Sequence, residues 1–177
     1  MKNVIYILFI IIFSGCAIQS AVTVDLTEFV SEIGSTLPNL SVKLILDDVP
    51  TQTATAIRGV TNWMESDGEG NRTGIMADSP HSLQLSTADL NRASLNEENK
   101  NSVIELIFST PPLTVNAKRW NAKYLGLDVD TAAFEYISVG HNNLQIYAIN
   151  DGYDYIYEVH ATWNEGSALF TFRTTAN

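Results

Sequence analysis

From Ser41 onward, hydrophobic and polar positions alternate in short runs separated by turn residues, as they do in strands half-buried against a core. Val42 to Leu46 ends at Asp47-Asp48-Val49-Pro50, and Ala54 to Trp63 reads as a second strand running into the polar stretch Asp67 to Asn71. Shorter strands are expected over Thr73 to Ala77 and Ser82 to Ser86, and the polar segment Thr87 to Lys100 has room for a helical turn. Ser102 to Ser109 places Ile104, Leu106 and Phe108 on one side. Pro111-Pro112 breaks that run, and Leu113, Val115 and Ala117 then lead to Trp120 as a neighbouring strand. Phe134 to Val139, Leu144 to Ile149, Tyr153 to Trp163 and Ser167 to Arg173 complete the series. Turn signals lie between them at Gly140 to Asn143, Asn150 to Gly152 and Asn164 to Gly166. Regularly spaced short strands predict an all-β fold, an antiparallel immunoglobulin-like β-sandwich forming one domain over residues 41–177.

The last hairpin carries the sharpest pattern. Tyr153, Tyr155, Tyr157, Val159, Ala161 and Trp163 share one face of their strand, while Asp154, Glu158, His160 and Thr162 share the other. The aromatic face is expected in the core, opposite Ala168, Phe170 and Phe172, together with Trp63 and Trp120. Gly166 suits the tight loop between the two strands. Asp151-Gly152 before Tyr153 and Tyr155 is similar to a tyrosine corner, in which a hydroxyl bonds back to nearby backbone.

Ahead of the domain the pattern is different. Met1-Lys2-Asn3 is followed by ten apolar residues, Val4 to Phe13. At 1.5 Å per residue a helix of that length covers roughly half of a ~30 Å hydrocarbon core, so it fits a removable export signal rather than a span. Phe13-Ser14-Gly15-Cys16 resembles a bacterial lipobox, with Phe13 where an aliphatic residue is usual. The expectation is a lipoprotein signal peptide over 1–15 and lipidation of Cys16 by diacylglyceryl and further acyl groups such as palmitate. Two chains suffice for stable anchoring. The alternative is ordinary secretory cleavage after Ser20. Residues 16–40 form a lipid-anchored tether, within which Leu26, Phe29, Val30 and Ile33 recur at helical spacing.

Composition narrows the function. The 177 residues carry ten Lys and Arg against twenty Asp and Glu, and losing Lys2 with the leader takes the net charge from −10 to −11. Such a surface repels phosphate backbones, so nucleic acid is not an expected partner. Cys16 is the only cysteine, which leaves the core to hold by packing without an internal disulfide.

Arg58-Gly-Val-Thr-Asn-Trp63, Ala77-Asp78-Ser79-Pro80, Leu113-Thr-Val with Trp120, and Tyr155-Ile-Tyr-Glu-Val-His-Ala-Thr-Trp163-Asn-Glu-Gly166 together resemble a set of small, uncharacterised bacterial surface proteins and lipoproteins. Those chains end in a strand of the form Y-x-Y-x-V-x-A-x-W-x-x-G followed by an aromatic strand. The resemblance spans roughly residues 55–173, with Val60-Thr61-Asn62 departing from the Gly-Thr-Tyr-x-Trp of the relatives. It implies an extracytoplasmic sandwich domain and carries over no catalytic residue.

Candidate chemistry is sparse. Asp67, Glu69, Asn71, Thr73 and Asp78 stand at positions 1, 3, 5, 7 and 12 of a loop, the oxygen spacing of calcium loops, but Arg72 occupies the place of the turning glycine and the same residues make an ordinary solvated loop. His81, His141 and His160 show no metal-ligand spacing, although Glu158 and His160 lie about 7 Å apart on one strand face. No nucleophile elbow, P-loop or nucleotide-binding glycine pattern occurs, so no cofactor and no catalytic residue is expected. Trp63, Trp120 and Trp163 either fill the core or form an aromatic platform for a glycan or peptide. The expected role is a noncatalytic binding or interaction module, held by Cys16 to the outer side of a bacterial cell or outer membrane, with an envelope protein or glycan as partner. A proteinase-inhibitor-like sandwich using Pro111-Pro112 and Asn116 to Trp120 as loops, and a minor hydrolase, are the alternatives.

Overall fold

Among the described residues eleven strands follow one another: β1 (Leu40–Leu46), β2 (Val49–Thr55), β3 (Ile57–Ser66), β4 (Arg72–Ala77), β5 (Arg92–Leu95) and β6 (Ser102–Phe108) in the first part. β7 (Thr114–Asn121), β8 (Phe134–Ile137), β9 (Gln145–Tyr147), β10 (Tyr155–Thr162) and β11 (Gly166–Ala176) complete the set. The computed structural model describes residues 37–46, 49–66, 69–85, 92–95, 102–140, 143–149 and 151–176. The segment expected to be an export signal, Cys16 and most of the expected tether lie outside them. Contacts group Thr36–Asn177 into one compact unit. Leu37 and Leu40 are buried in its core, so the folded domain reaches a few residues further toward the N-terminus than the alternation from Ser41 predicts.

The described chain is an all-β sandwich. One sheet has the order β2-β1-β6-β9 and is antiparallel throughout. The other has the order β4-β3-β11-β10-β7-β8, also antiparallel, with β5 added in parallel beside Arg173–Ala176 of β11. Alternation explains the packing: Leu40, Val42, Leu44, Ile104, Leu106 and Ile146 of the smaller sheet meet Tyr157, Val159, Ala161, Ala168, Phe170 and Phe172 of the larger. Each such fully buried Leu, Ile or Phe side chain contributes about 1.5–3 kcal/mol by leaving water. Tyr157 stacks parallel on Phe172 with ring centroids 4.9 Å apart, and Trp63 meets Trp163 edge-on at 5.6 Å.

Several sequence expectations need correction. The run Ala54 to Trp63 is not one strand. The chain leaves the smaller sheet after Thr55 and enters the larger at Ile57, with the Ala56 amide donating to the Leu40 carbonyl at the crossing. The strand expected over Ser82 to Ser86 is replaced at Ser82–Gln84 by a 3-10 turn capped by His81, and Ser86 lies outside the described residues. Within the polar stretch expected to carry a helical turn, Arg92–Leu95 pairs as β5. β6 and β7 are consecutive but belong to different sheets, which makes the Pro111-Pro112 segment a crossing between layers and not a hairpin. Among the described residues, no helix is long and apolar enough to cross a membrane.

Candidate functional site

The face of β10 that points away from the smaller sheet carries Ile156, Glu158 and His160. Register then assembles a surface around them: Lys118 lies opposite Glu158 and Asn116 opposite His160 on β7, while Thr171 and Leu169 flank the same two residues on β11. β8 adds Phe134 beside Trp120 and Tyr136 beside Lys118. Half of this face is covered. Leu83, on the 3-10 turn, is fully buried against Trp120, Ile156 and Ala132, forming a second small core outside the sandwich.

That cover puts Glu158 in an unusual place for a strand carboxylate, only 6% exposed. Oε2 accepts from the Ser82 hydroxyl at 2.7 Å, and Oε1 lies 2.8 Å from the Lys118 ammonium. Because Ser82 has one proton and gives it to the carboxylate, the 2.7 Å contact between the Ser82 and Thr171 hydroxyls is donated by Thr171. Burying an ionised group is tolerable only when its lone pairs are matched, and here an ammonium and a hydroxyl match them.

His81 completes the cluster without joining a proton relay. Its Nδ1 accepts from the Leu83 amide at 3.2 Å, and its Nε2 lies 3.9 Å from Glu158 Oε2. The ring packs edge-on against Trp120 at 5.2 Å. Burial holds the imidazole below its ordinary pKa; Lys118 pushes the same way and Glu158 opposes. A serine, a histidine and a carboxylate are thus neighbours, but an activated nucleophile needs its hydroxyl directed at the base. Ser82 donates to the carboxylate instead, and the imidazole nitrogen that accepts is occupied by backbone.

Beyond the covered half lies a groove of about 400 Å³ lined by Asn116, Lys118, Tyr136, Glu158, His160 and Leu169. The volume falls in the range of small-ligand pockets, roughly 300–1,000 Å³. Tyr136, 76% exposed, flanks it, and its ring is supported edge-on by Phe134 at 5.3 Å. The Lys118 ammonium sits 4.7 Å from the Trp120 ring centroid and 5.6 Å from that of Phe134, so cation–π attraction also fixes its position.

Comparison with family models, with curated proteins and with solved structures gives no match.

The residues singled out from sequence fare unevenly. Trp63, Trp120, Tyr157, Trp163, Phe170 and Phe172 are buried and Tyr155 half-buried. The three tryptophans therefore offer no platform. Tyr153, expected in the core, is 59% exposed, because β10 begins only at Tyr155 and Tyr153 belongs to the turn before it. The Tyr155 hydroxyl bonds to the Asp151 carboxylate at 2.5 Å and not to backbone; its pKa is pushed up to about 12, chiefly by burial and then by that carboxylate. Trp120 belongs to the outer cluster under Leu83 instead of the inter-sheet core.

Of the loop oxygens proposed for calcium, Asp67 lies outside the described residues. Thr73 and Asp78 stand at opposite ends of β4, roughly 16 Å apart by strand rise, which is too far for one ion. Among the described residues no group of three His, Cys, Asp or Glu side chains is placed to hold a metal. Glu158 and His160 do share the groove, whereas His141 lies outside the described residues. Asn116 to Trp120 is strand, not loop, which removes half of the segment proposed to enter a protease. Leu113 beside Pro111-Pro112 is exposed, and its amide is tied to the Thr162 carbonyl.

Alternation puts Glu158 on the strand face opposite the aromatic one but does not single out Ser82, Lys118 or Tyr136 as its neighbours. One signal was present: Ile156 and Trp120 lie on that same face by alternation, and large apolar residues there mean that something covers it.

Proposed function

We propose that this chain is a lipid-anchored, noncatalytic binding module of the bacterial cell envelope that presents the outer face of an immunoglobulin-like sandwich to its ligand. The observation that carries the reading is the groove over β7 and β10, floored by the Glu158 carboxylate and flanked by an exposed aromatic ring. Concave sites with a few convergent polar groups are the usual places where small ligands bind.

The immunoglobulin-like type is supported by connectivity. β6 and β9 are neighbours in one sheet as strands B and E are, and β8-β7-β10-β11 run in the order C′-C-F-G. Tyr155 stands at the start of β10, the place of the corner tyrosine, although its hydroxyl is satisfied by Asp151. The noncatalytic reading is supported by the direction of the hydrogen bonds: Ser82 is turned from His81, and Glu158 is neutralised by Lys118. The anchor rests on the lipobox-like Phe13-Ser14-Gly15-Cys16 and the short apolar run before it.

Metabolic labelling with a palmitate analogue tests the anchor. Wild type is expected to take up label and sediment with membranes, and Cys16→Ala to do neither; a variant that labels and sediments like wild type refutes it. The binding reading is tested by His160→Trp, which fills the groove from its rim. Retention of envelope components by wild type and equally by this variant, once its fold is verified, refutes the groove as the binding face. Turnover of an ester or glycoside panel that disappears with Ser82→Ala refutes the noncatalytic part.

A further inference from the structure

Deepening the binding reading just given, and resting on it, we propose that the groove takes an uncharged mono- or disaccharide, with Tyr136 as the stacking ring and Asn116, His160 and the Lys118–Glu158 pair as partners of its hydroxyls.

The groove lies over the sheet face from β11 to β8, the edge strand on which Tyr136 stands. Beneath its centre β10 is paired in continuous register with β7 on one side and β11 on the other, so the amides and carbonyls of β10 are spent on the ladders and a ligand over them meets side chains. A peptide laid there keeps its own backbone groups unmatched, which costs free energy at each one. A saccharide carries its donors and acceptors as separate hydroxyls, each able to meet a single side-chain group.

The side chains present suit that chemistry. Asn116 brings an amide with two donors and an acceptor, His160 an imidazole, and Glu158 and Lys118 retain lone pairs and N–H groups beyond those that join them. The 2.8 Å ion pair leaves no net charge from these two groups, and the net negative charge of the whole chain disfavours anions. Leu169 gives the floor an apolar part. Tyr136 is the most exposed aromatic on the face and is braced by Phe134, so a flat ring stands ready for the C–H face of a pyranose without a large ordering cost.

The test uses the full chain, solubilised in a detergent without a sugar headgroup, against a panel of uncharged mono- and disaccharides and a parallel panel of extended peptides, read by calorimetry and by ligand-observed NMR. The expected result is binding of at least one saccharide, weakened about tenfold or more by Tyr136→Ala and by Asn116→Ala, and held within about twofold by Tyr136→Phe. Wild-type thermal unfolding in each variant separates loss of the site from loss of the fold. Peptide binding that depends on Tyr136 and His160, with no saccharide bound, overturns the saccharide inference and leaves the binding module standing. Saccharide binding unchanged by both alanine variants also overturns it. Failure of both panels overturns the groove as a binding site altogether.

Discussion

Removing the Glu158 carboxylate tests the cluster that shapes the outer face. Glu158→Gln keeps an oxygen for Lys118 and sets an amide against Ser82, whose hydroxyl then turns to Thr171, so the ion pair becomes a bond charged on its donor alone and the Ser82 bond becomes a neutral one. That substitution is expected to cost about 1–2 kcal/mol. Glu158→Ala deletes both bonds and leaves the Lys118 ammonium without its partner. For a fully buried pair the cost of such a break is about 3–5 kcal/mol, but the Lys118 side chain is 28% exposed and can turn to water, which lowers the expectation to about 2–4 kcal/mol. Lys118→Met in the same cycle is expected to show coupling to Glu158 of about 1–2 kcal/mol. The assay is chemical denaturation of the whole chain followed by tryptophan fluorescence, which reports unfolding because all three tryptophans are buried. A Glu158→Ala variant within about 0.5 kcal/mol of wild type, or fully additive effects in the cycle, would refute the buried network.

Two further outcomes follow from the same geometry. His81 is held below the usual histidine pKa by burial, so as pH falls through about 6.5 the unfolded chain binds a proton that the folded chain refuses. Stability therefore drops between about pH 7 and the lower folded pKa, then levels off; His81→Asn, whose side-chain oxygen can still accept from Leu83, is expected to flatten that part of the wild-type profile, and an unchanged slope contradicts the assignment. Gly166→Ala places a Cβ against the Asn62 carbonyl and 2.9 Å from Trp63 Cα, so β11 must move off β3 at an expected cost of about 1–3 kcal/mol in the same denaturation assay; an unchanged midpoint contradicts the close approach.

The inner faces of the two sheets were legible from alternation because a period of two sends every second residue to the core wherever a strand is regular. Tyr157 to Trp163 and Ala168 to Phe172 follow that rule, and so do Leu40 to Leu44 and Ile104 to Leu106. The rule fails where the chain changes layer, since Thr55 and Ile57 continue one apolar-polar rhythm while serving different sheets. It fails again at Ser82–Gln84, where a side-chain cap from His81 outweighs strand propensity. Partner choice was also beyond a local pattern: nothing in Arg92–Leu95 says that it pairs in parallel with the end of β11. The site was illegible for the same reason, because Ser82 reaches Glu158 across 76 residues.

The position of the groove follows from where the outer cover ends. Along β10, Ile156, Tyr157, Glu158 and Val159 are all buried, which alternation against a single core cannot produce; a strand becomes continuously buried only when both its faces are covered. Leu83 covers the row that contains Ile156 and Trp120, and Ser82 covers one edge of the next row at Glu158. His160, one row further, is exposed. Glu158 is therefore the boundary residue, with one oxygen tied under the 3-10 turn and the other held by Lys118 at the open end. A carboxylate is the side chain suited to that boundary, since it can accept from the cover on one side and stay polar toward a ligand on the other. The turn that stabilises the outer face and the groove that offers it to a partner are thus two sides of one residue, and loosening the turn should open the groove's floor before it unfolds the sandwich.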